Sequence, residues 1–488
     1  MMDKFKGKFL ATLLLIFFLS PIFIILYYFQ FELDISVDDF LYAFKNSALQ
    51  SLVTAGLCLI GSMLLVPGLS QIKNKWMTTI MPAALLPALL PSLFTILIVF
   101  SYFKEFPFGH IGIVLIFIIT YFGFSTVALY NAYNALVDRY QGLISIYNLS
   151  WCDRYFKIYL PLLKQDIINI FLIIILGCFS SLSVPLLADG GRGANIELLI
   201  YESIYINGQW VTASVVAIIQ VGIMLLIGFY LNQKKSYEPL VKLSTSEKHK
   251  KVNLSLSLFI LYIAIYILGY LWQVIRSLIH FNQEQFYLDE FFTSLSHSFV
   301  LSLFSIAIFL LLTLSIIYLK HIKAASEFLM YFLLPSSTVV GFSLYLLFSI
   351  KDSIILDLIK VGIGLNLIYS LALYKTYIQP AFTSLQSQMD IARLYSLDFK
   401  TTLLKIILPQ LKNSLLIACN ILFIFSFCEF ALMKSSGAQG LFSGVFIERL
   451  ISTYRLDQGF IYSSIILIIV FIFFHITRFL SGKPDQSN

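Results

Sequence analysis

Ile158-Tyr159-Leu160-Pro161-Leu162-Leu163-Lys164 and Ile406-Ile407-Leu408-Pro409-Gln410-Leu411-Lys412 are one phrase written twice, 248 residues apart in a chain of 488. Self-similarity at a fixed shift marks a duplicated structural unit. Asn46-Ser47 and His297-Ser298 support it, opening two apolar runs at a shift of 251. The order of elements around each copy is also shared, with six apolar runs per half and the longest polar segment between the fourth and fifth. The halves are 1–245 and 246–488. The stretch 232–253 that joins them is charged (Lys234, Lys235, Glu238, Glu247, Lys248, Lys250, Lys251) and reads as a solvated connection.

The runs themselves identify the solvent. Hydrophobic residues make up 59% of the chain and charged residues 12%, with mean hydropathy +0.87. Soluble domains carry about 45–50% apolar and about 25% charged residues, so a soluble globular fold is excluded. Twelve runs are long enough to cross a hydrocarbon core of about 30 Å as helices. They fall at 9–30, 47–69, 79–102, 109–133, 166–188, 211–231, 254–279, 298–319, 328–350, 354–375, 413–433 and 460–481. The first follows Lys4, Lys6 and Lys8 but lacks a small-residue cleavage site, so it is kept as a membrane helix. The expected fold is an all-α polytopic membrane protein of about 12 transmembrane helices. Its two six-helix halves run parallel, related by an axis along the membrane normal, which implies a central pathway.

An even number of spans puts both termini on one side of the membrane. A cytoplasmic N-terminus leaves 24 of the 33 Lys and Arg inside and 9 outside, as the positive-inside rule requires. Opposite loops carry Glu32, Asp34, Asp38, Asp39, Glu284, Asp289 and Glu290. The net charge of +7 is then mostly topology and calls for no nucleic acid. The five cysteines show neither a CxxC pair nor ligand spacing, and the six histidines are scattered singly, so no metal site or proton relay suggests itself.

Between the fourth and fifth spans each half carries a polar segment of roughly 30 residues, long for a connector and rich enough in aliphatics to fold. In the second half Asp390 stands where a helix dipole favours an acid, and Ile391, Leu394 and Tyr395 share a face at helical spacing. A short amphipathic helix at the membrane surface is predicted.

These residues resemble the loop shared by permeases of binding-protein-dependent ABC importers, whose pattern is E-A-A, three residues, G, nine residues, I-x-L-P. The second half matches at Asp390, Ile391 and Ala392, with Ser396 at the glycine position, then Ile406, Leu408 and Pro409. The first half matches at Gly142, Leu143 and Ile144, with Asn148 at the glycine position, then Ile158, Leu160 and Pro161. Asn148 tolerates the left-handed turn that the glycine permits better than Ser396 does, and Gly142 discards the acid that Asp390 keeps. The resemblance implies that 138–148 and 386–396 fit a cleft in an ATPase subunit dimer, with Ala392 in that contact, and that ATP-Mg is held by that partner. The chain has no G-x-x-x-x-G-K-[ST] with which to cradle phosphates itself, and no cofactor of its own is expected. A periplasmic substrate-binding protein, residence in the bacterial inner membrane and the absence of enzymatic activity on this chain are implied with it.

Fused halves resemble the thiamine and ferric-iron importers of that family. Cys178-Phe179-Ser180-Ser181-Leu182-Ser183, Ile196 to Glu202, and Ser452-Thr453-Tyr454-Arg455 with Asp457 and Gly459 look most like the permease for thiamine or thiamine pyrophosphate. Glu429 is the acid that the spans place well inside a helix, where an ionised side chain costs roughly 2.5–3.5 kcal/mol, so it should face a pathway or a partner. Ser181 takes its place in the first half, which would leave a pathway electrostatically lopsided and open to a ring cation. Two other classes remain open, an ion-coupled secondary transporter, which would need intramembrane acid–base pairs and broken helices, and a non-transporting scaffold.

Overall fold

The computed structural model describes residues 2–28, 37–70, 77–146, 153–233, 254–280, 287–321, 336–348, 353–395 and 397–481. The described residues are helical with no strand, and the chain is an all-α multi-pass membrane protein. Among them ten helices are long and apolar enough to cross a bilayer. Two further runs appear as the shorter helices Ser92–Tyr102 and Ser337–Phe348. The expected 79–102 helix is split into α3 (Met77–Ala84), α4 (Leu86–Leu89) and α5 (Ser92–Tyr102), because Pro87 and Pro91 each remove an amide the ladder needs. Residues 328–335 lie outside the described residues.

The first half continues with α1 (Met2–Tyr28), α2 (Val37–Leu69), α6 (His110–Ile146), α7 (Leu160–Phe179), α8 (Ser183–Ala188), α9 (Ile196–Tyr205) and α10 (Trp210–Gln233). The second half holds α11 (Leu254–Ile279), α12 (Leu288–His321), α13 (Ser337–Phe348), α14 (Ile354–Leu373), α15 (Gln379–Ser384), α16 (Gln386–Leu394), α17 (Phe399–Thr402), α18 (Leu408–Phe427), α19 (Ala431–Ser435), α20 (Ser443–Ser452) and α21 (Leu456–Ser481). The duplication is visible in the boundaries: α7 shifted by 248 residues is α18, end for end.

The chain forms two compact units, each discontinuous in sequence: Met1–Asp34, Ile200–Gly228 and Asn282–Asn488 in one, Ile35–Leu199 and Phe229–Phe281 in the other. In the first unit α12 packs on α14 and α18; in the second, α2 packs on α6 and α7, the same relation in the repeat. The opening helix of each half joins the unit built mainly from the other half: α1 lies on α12 and α13, and α11 on α2, α3 and α5. Lipid tails are as apolar as leucine, so small residues that allow close approach hold such helices together. Ser47, Ser51, Thr54 and Ser62 of α2 recur 251 residues on as Ser298, Ser302, Ser305 and Thr313 of α12, all buried. The Ser62 hydroxyl meets those of Ser125 and Thr126 on α6.

The repeated dipeptides pin the segments ahead of α9 and α20. Ser47 Oγ accepts the amide of Ile196 at 2.9 Å while Asn46 donates to the Ala194 carbonyl. Ser298 Oγ accepts the amide of Ser443 at 2.8 Å, with His297 Nδ1 3.0 Å from the Leu441 carbonyl.

Candidate functional site

Three prolines shape the polar loops and the helices that leave them. Proline at position i has no N–H for the carbonyl at i−4, and its ring crowds that carbonyl, so the turn before it widens. The amide of Leu160, ahead of Pro161, reaches back five residues to Tyr155, and that of Leu408, ahead of Pro409, reaches back to Leu403. Gln379, ahead of Pro380, does the same to Tyr374. The I-x-L-P element is thus a widened turn at 154–159 and 403–407 that opens α7 and α18. Ile158, Leu160, Ile406 and Leu408 are half-buried there, with Pro161 and Pro409 exposed.

In the second half the loop folds into the predicted short helix, α16, but it begins at Gln386, so Asp390 lies mid-helix and not in the first turn where the dipole would favour an acid. It buries Met389 and Ala392 and leaves Ile391 (54% exposed), Leu394 (83%) and Tyr395 (77%) outward with Asp390. Ala392, expected in the partner contact, faces its own chain at 2% exposure. Gln410 Nε2 donates to Gln388 Oε1 at 2.6 Å, tying α16 to α18. Asp398 caps α17, accepting from the Thr401 amide, and its hydrogen bonding to Thr401 holds its carboxyl below the usual carboxylate range. Ser396 and Asn148 lie outside the described residues. The first half differs from expectation: 138–146 is no separate helix but the end of α6, which carries Gly142 inside it. Its sequence has no counterpart of Pro380, and a lone glycine costs a helix only about 1 kcal/mol.

Ser181 and Glu429 do occupy equivalent places, but not inside helices. Each sits in a break, 180–182 between α7 and α8 and 428–430 between α18 and α19. The sequence Phe427-Cys428-Glu429-Phe430 carries no glycine or proline to signal a break, and there the buried Glu429 carboxylate accepts the amide of Leu432 at the start of α19. In the first half Asn195 donates to the Ser181 carbonyl at 3.2 Å and accepts the Leu198 amide at 2.9 Å.

An acid–base pair inside a span was missed in the sequence. Asp357 Oδ1 and Lys360 Nζ are 2.9 Å apart on α14, their side chains 5% and 6% exposed. Asp357 Oδ2 also accepts the amides of Gln439 and Gly440, both at 3.0 Å, fixing the segment between α19 and α20. The signal was present as an acid and a lysine at i, i+3 in an apolar run. Beside that segment, Tyr205 donates to the Ser435 carbonyl, Tyr205 meets Tyr345 edge-on at 5.3 Å, and Trp210 stacks on Tyr345 at 5.1 Å. Burial pushes the Tyr201 and Tyr205 phenols up. Lys434 pairs with Glu448 at 3.1 Å nearby. The stretches 178–183, 196–202 and 452–459 fall on the α7–α8 break, the start of α9 and the α20–α21 turn, where Tyr454 takes φ +55°.

Cys58, Cys178, Cys419 and Cys428 are buried and unbridged, and Cys152 lies outside the described residues. Among the described residues no group of three His, Cys, Asp or Glu is placed to hold a metal. Compared with protein-family models, characterised proteins and solved structures, the chain matches none of them.

Proposed function

We propose that the chain is the fused permease subunit of an ATP-driven importer in a bacterial inner membrane, both termini cytoplasmic, with hydrolysis supplied by a separate ATPase dimer holding ATP-Mg. One observation supports this most: α16 turns an apolar face of Ile391, Leu394 and Tyr395 away from its own chain. Exposed apolar side chains on a short amphipathic helix suit a helix-in-groove partner, and α16 lies where the resemblance sets the ATPase contact. The first loop, continuous with α6, gives a weaker contact. The cargo we assign is thiamine or its phosphate esters, on the strength of the resemblance at 178–183, 196–202 and 452–459. Ferric iron is the alternative cargo, and in either case a periplasmic binding protein delivers it.

Uptake by proteoliposomes holding the chain, its ATPase and candidate binding proteins tests this, with labelled thiamine and ferric iron side by side. ATP-dependent thiamine accumulation supports the full reading. Iron accumulation alone removes the thiamine assignment, and an ATPase that neither binds the chain nor energises uptake removes the importer. The buried Asp357–Lys360 pair favours a second reading, an ion-coupled transporter. It predicts uptake without ATPase that collapses when an ionophore dissipates the ion gradient.

A further inference from the structure

A groove of about 350 Å³ runs between α5, α6 and α11 within the second unit. Three of its walls are tyrosines, yet it offers no hydroxyl. Tyr102 donates to the Ile265 carbonyl at 2.5 Å, Tyr262 to the Ile119 carbonyl at 2.8 Å, and Tyr266 lies 3.3 Å from the Thr95 hydroxyl. With two phenols turned into neighbouring carbonyls and the third onto the Thr95 hydroxyl, ring faces and the aliphatic chains of Ile98, Ile119, Leu258 and Leu261 remain. A polar cargo finds no partner in such walls.

The groove opens sideways. Leu258, Leu261 and Ile265 are 46%, 53% and 52% exposed, and α11 buries only 17% of its most apolar stretch, the lowest share of the ten spans. What lies beside a membrane-spanning helix is lipid. We propose that this groove seats one acyl chain of a bilayer lipid as a resident component, separate from any cargo route. Contacts between the helices pin the walls, which sets a seat apart from passing lipid. Tyr262 bridges Ile119 and Gly123 of α6, and Tyr102 lies against Gly269 of α11 where any Cβ would overlap its hydroxyl.

The test uses the full chain in nanodiscs containing a phospholipid with a diazirine in its acyl tail, followed by peptide mapping. The control is the exposed face of α21 at Ile468, Phe471 and Ile472. Labelling at 258–266 should persist under dilution with unlabelled lipid that erases the α21 signal. Leu261→Trp, filling the groove from its open side, should lower labelling about tenfold, which corresponds to about 1.4 kcal/mol; Leu258→Phe serves if the first variant folds poorly. Parallel loss at both faces, unchanged labelling in a folded groove-filling variant, or a co-purifying polypeptide cross-linked there would overturn the proposal.

Discussion

The Ser298 hydroxyl accepts the backbone amide of Ser443 at 2.8 Å, the bond that Ser47 makes with Ile196 in the first half. Ser298→Ala leaves a buried N–H without its acceptor and should cost about 1–3 kcal/mol, read as a lower thermal midpoint in detergent. Ser298→Thr keeps the oxygen and should recover most of it. Equal midpoints for the alanine and parent chains would show that the bond is not holding that segment.

Pro409 sets the widened turn by withholding an amide from Lys405. Pro409→Ala supplies it, and closing the turn to ordinary helix rotates the preceding segment by about 100°. Cysteines in place of Gln388 and Gln410, whose side chains meet at 2.6 Å, should cross-link through a short bismaleimide in the parent and much less in the Pro409→Ala background. Equal yields would show that the proline does not set the turn.

On α16, buried and exposed positions should part company. Ala392→Arg forces a charge into the chain's own packing and should cost about 3 kcal/mol or more, seen as poor folding in size-exclusion profiles. Leu394→Asp should leave folding within about 0.5 kcal/mol. It should also weaken ATPase binding at least about tenfold, as loss of an interface anchor does. A Leu394→Asp chain that binds and transports normally removes this face from the coupling contact.

At the α3–α6 crossing a Cβ on Gly123 would overlap the Ala84 carbonyl. Gly123→Ala should therefore destabilise by about 1–3 kcal/mol through forced backbone movement. Tyr262→Phe, losing a hydroxyl shared by Ile119 and Gly123, should cost about 1 kcal/mol. Denaturation in mixed micelles measures both, and a neutral Gly123→Ala would mean that the helices can part there freely.

Asp398 gives a pH dependence of fixed sign. Its folded value lies below the ordinary carboxylate value, with hydrogen bonding to Thr401 the main cause. Its contribution is therefore complete above the ordinary value, about 3.9, and is lost as pH falls through the lower folded one. The difference in thermal midpoint between parent and Asp398→Ala should be constant from about pH 5 upward and close in stronger acid. A gap that widens on acidification contradicts the cap.

Hydropathy made the membrane class and α16 legible, and the repeated phrase at 158–164 and 406–412 made the duplication so, because run length, period and self-similarity are properties of composition and order. Continuity of backbone is not. Phe427-Cys428-Glu429-Phe430 contains neither glycine nor proline to announce the break there, and the conversion of Glu429 from intramembrane charge to helix cap depended on a carboxylate reaching the Leu432 amide. Asp357 and Lys360 escaped notice because two opposite charges one turn apart barely dent a window average. That α11 packs with α2, α3 and α5 was unreadable for a different reason: an apolar helix does not announce which neighbours it meets.

The discontinuous units carry a consequence for biogenesis. The second unit takes Ile35–Leu199 and then nothing until Phe229–Phe281. At about 5–20 residues per second, the 82 residues from Leu199 to Phe281 occupy the ribosome for about 4–16 s. Throughout that interval α2, α3 and α5 stand in the bilayer without α11, and surrounding lipid is the only solvent available to the surface it will cover. The last helix of this unit must therefore arrive by displacing lipid tails from the surface it covers.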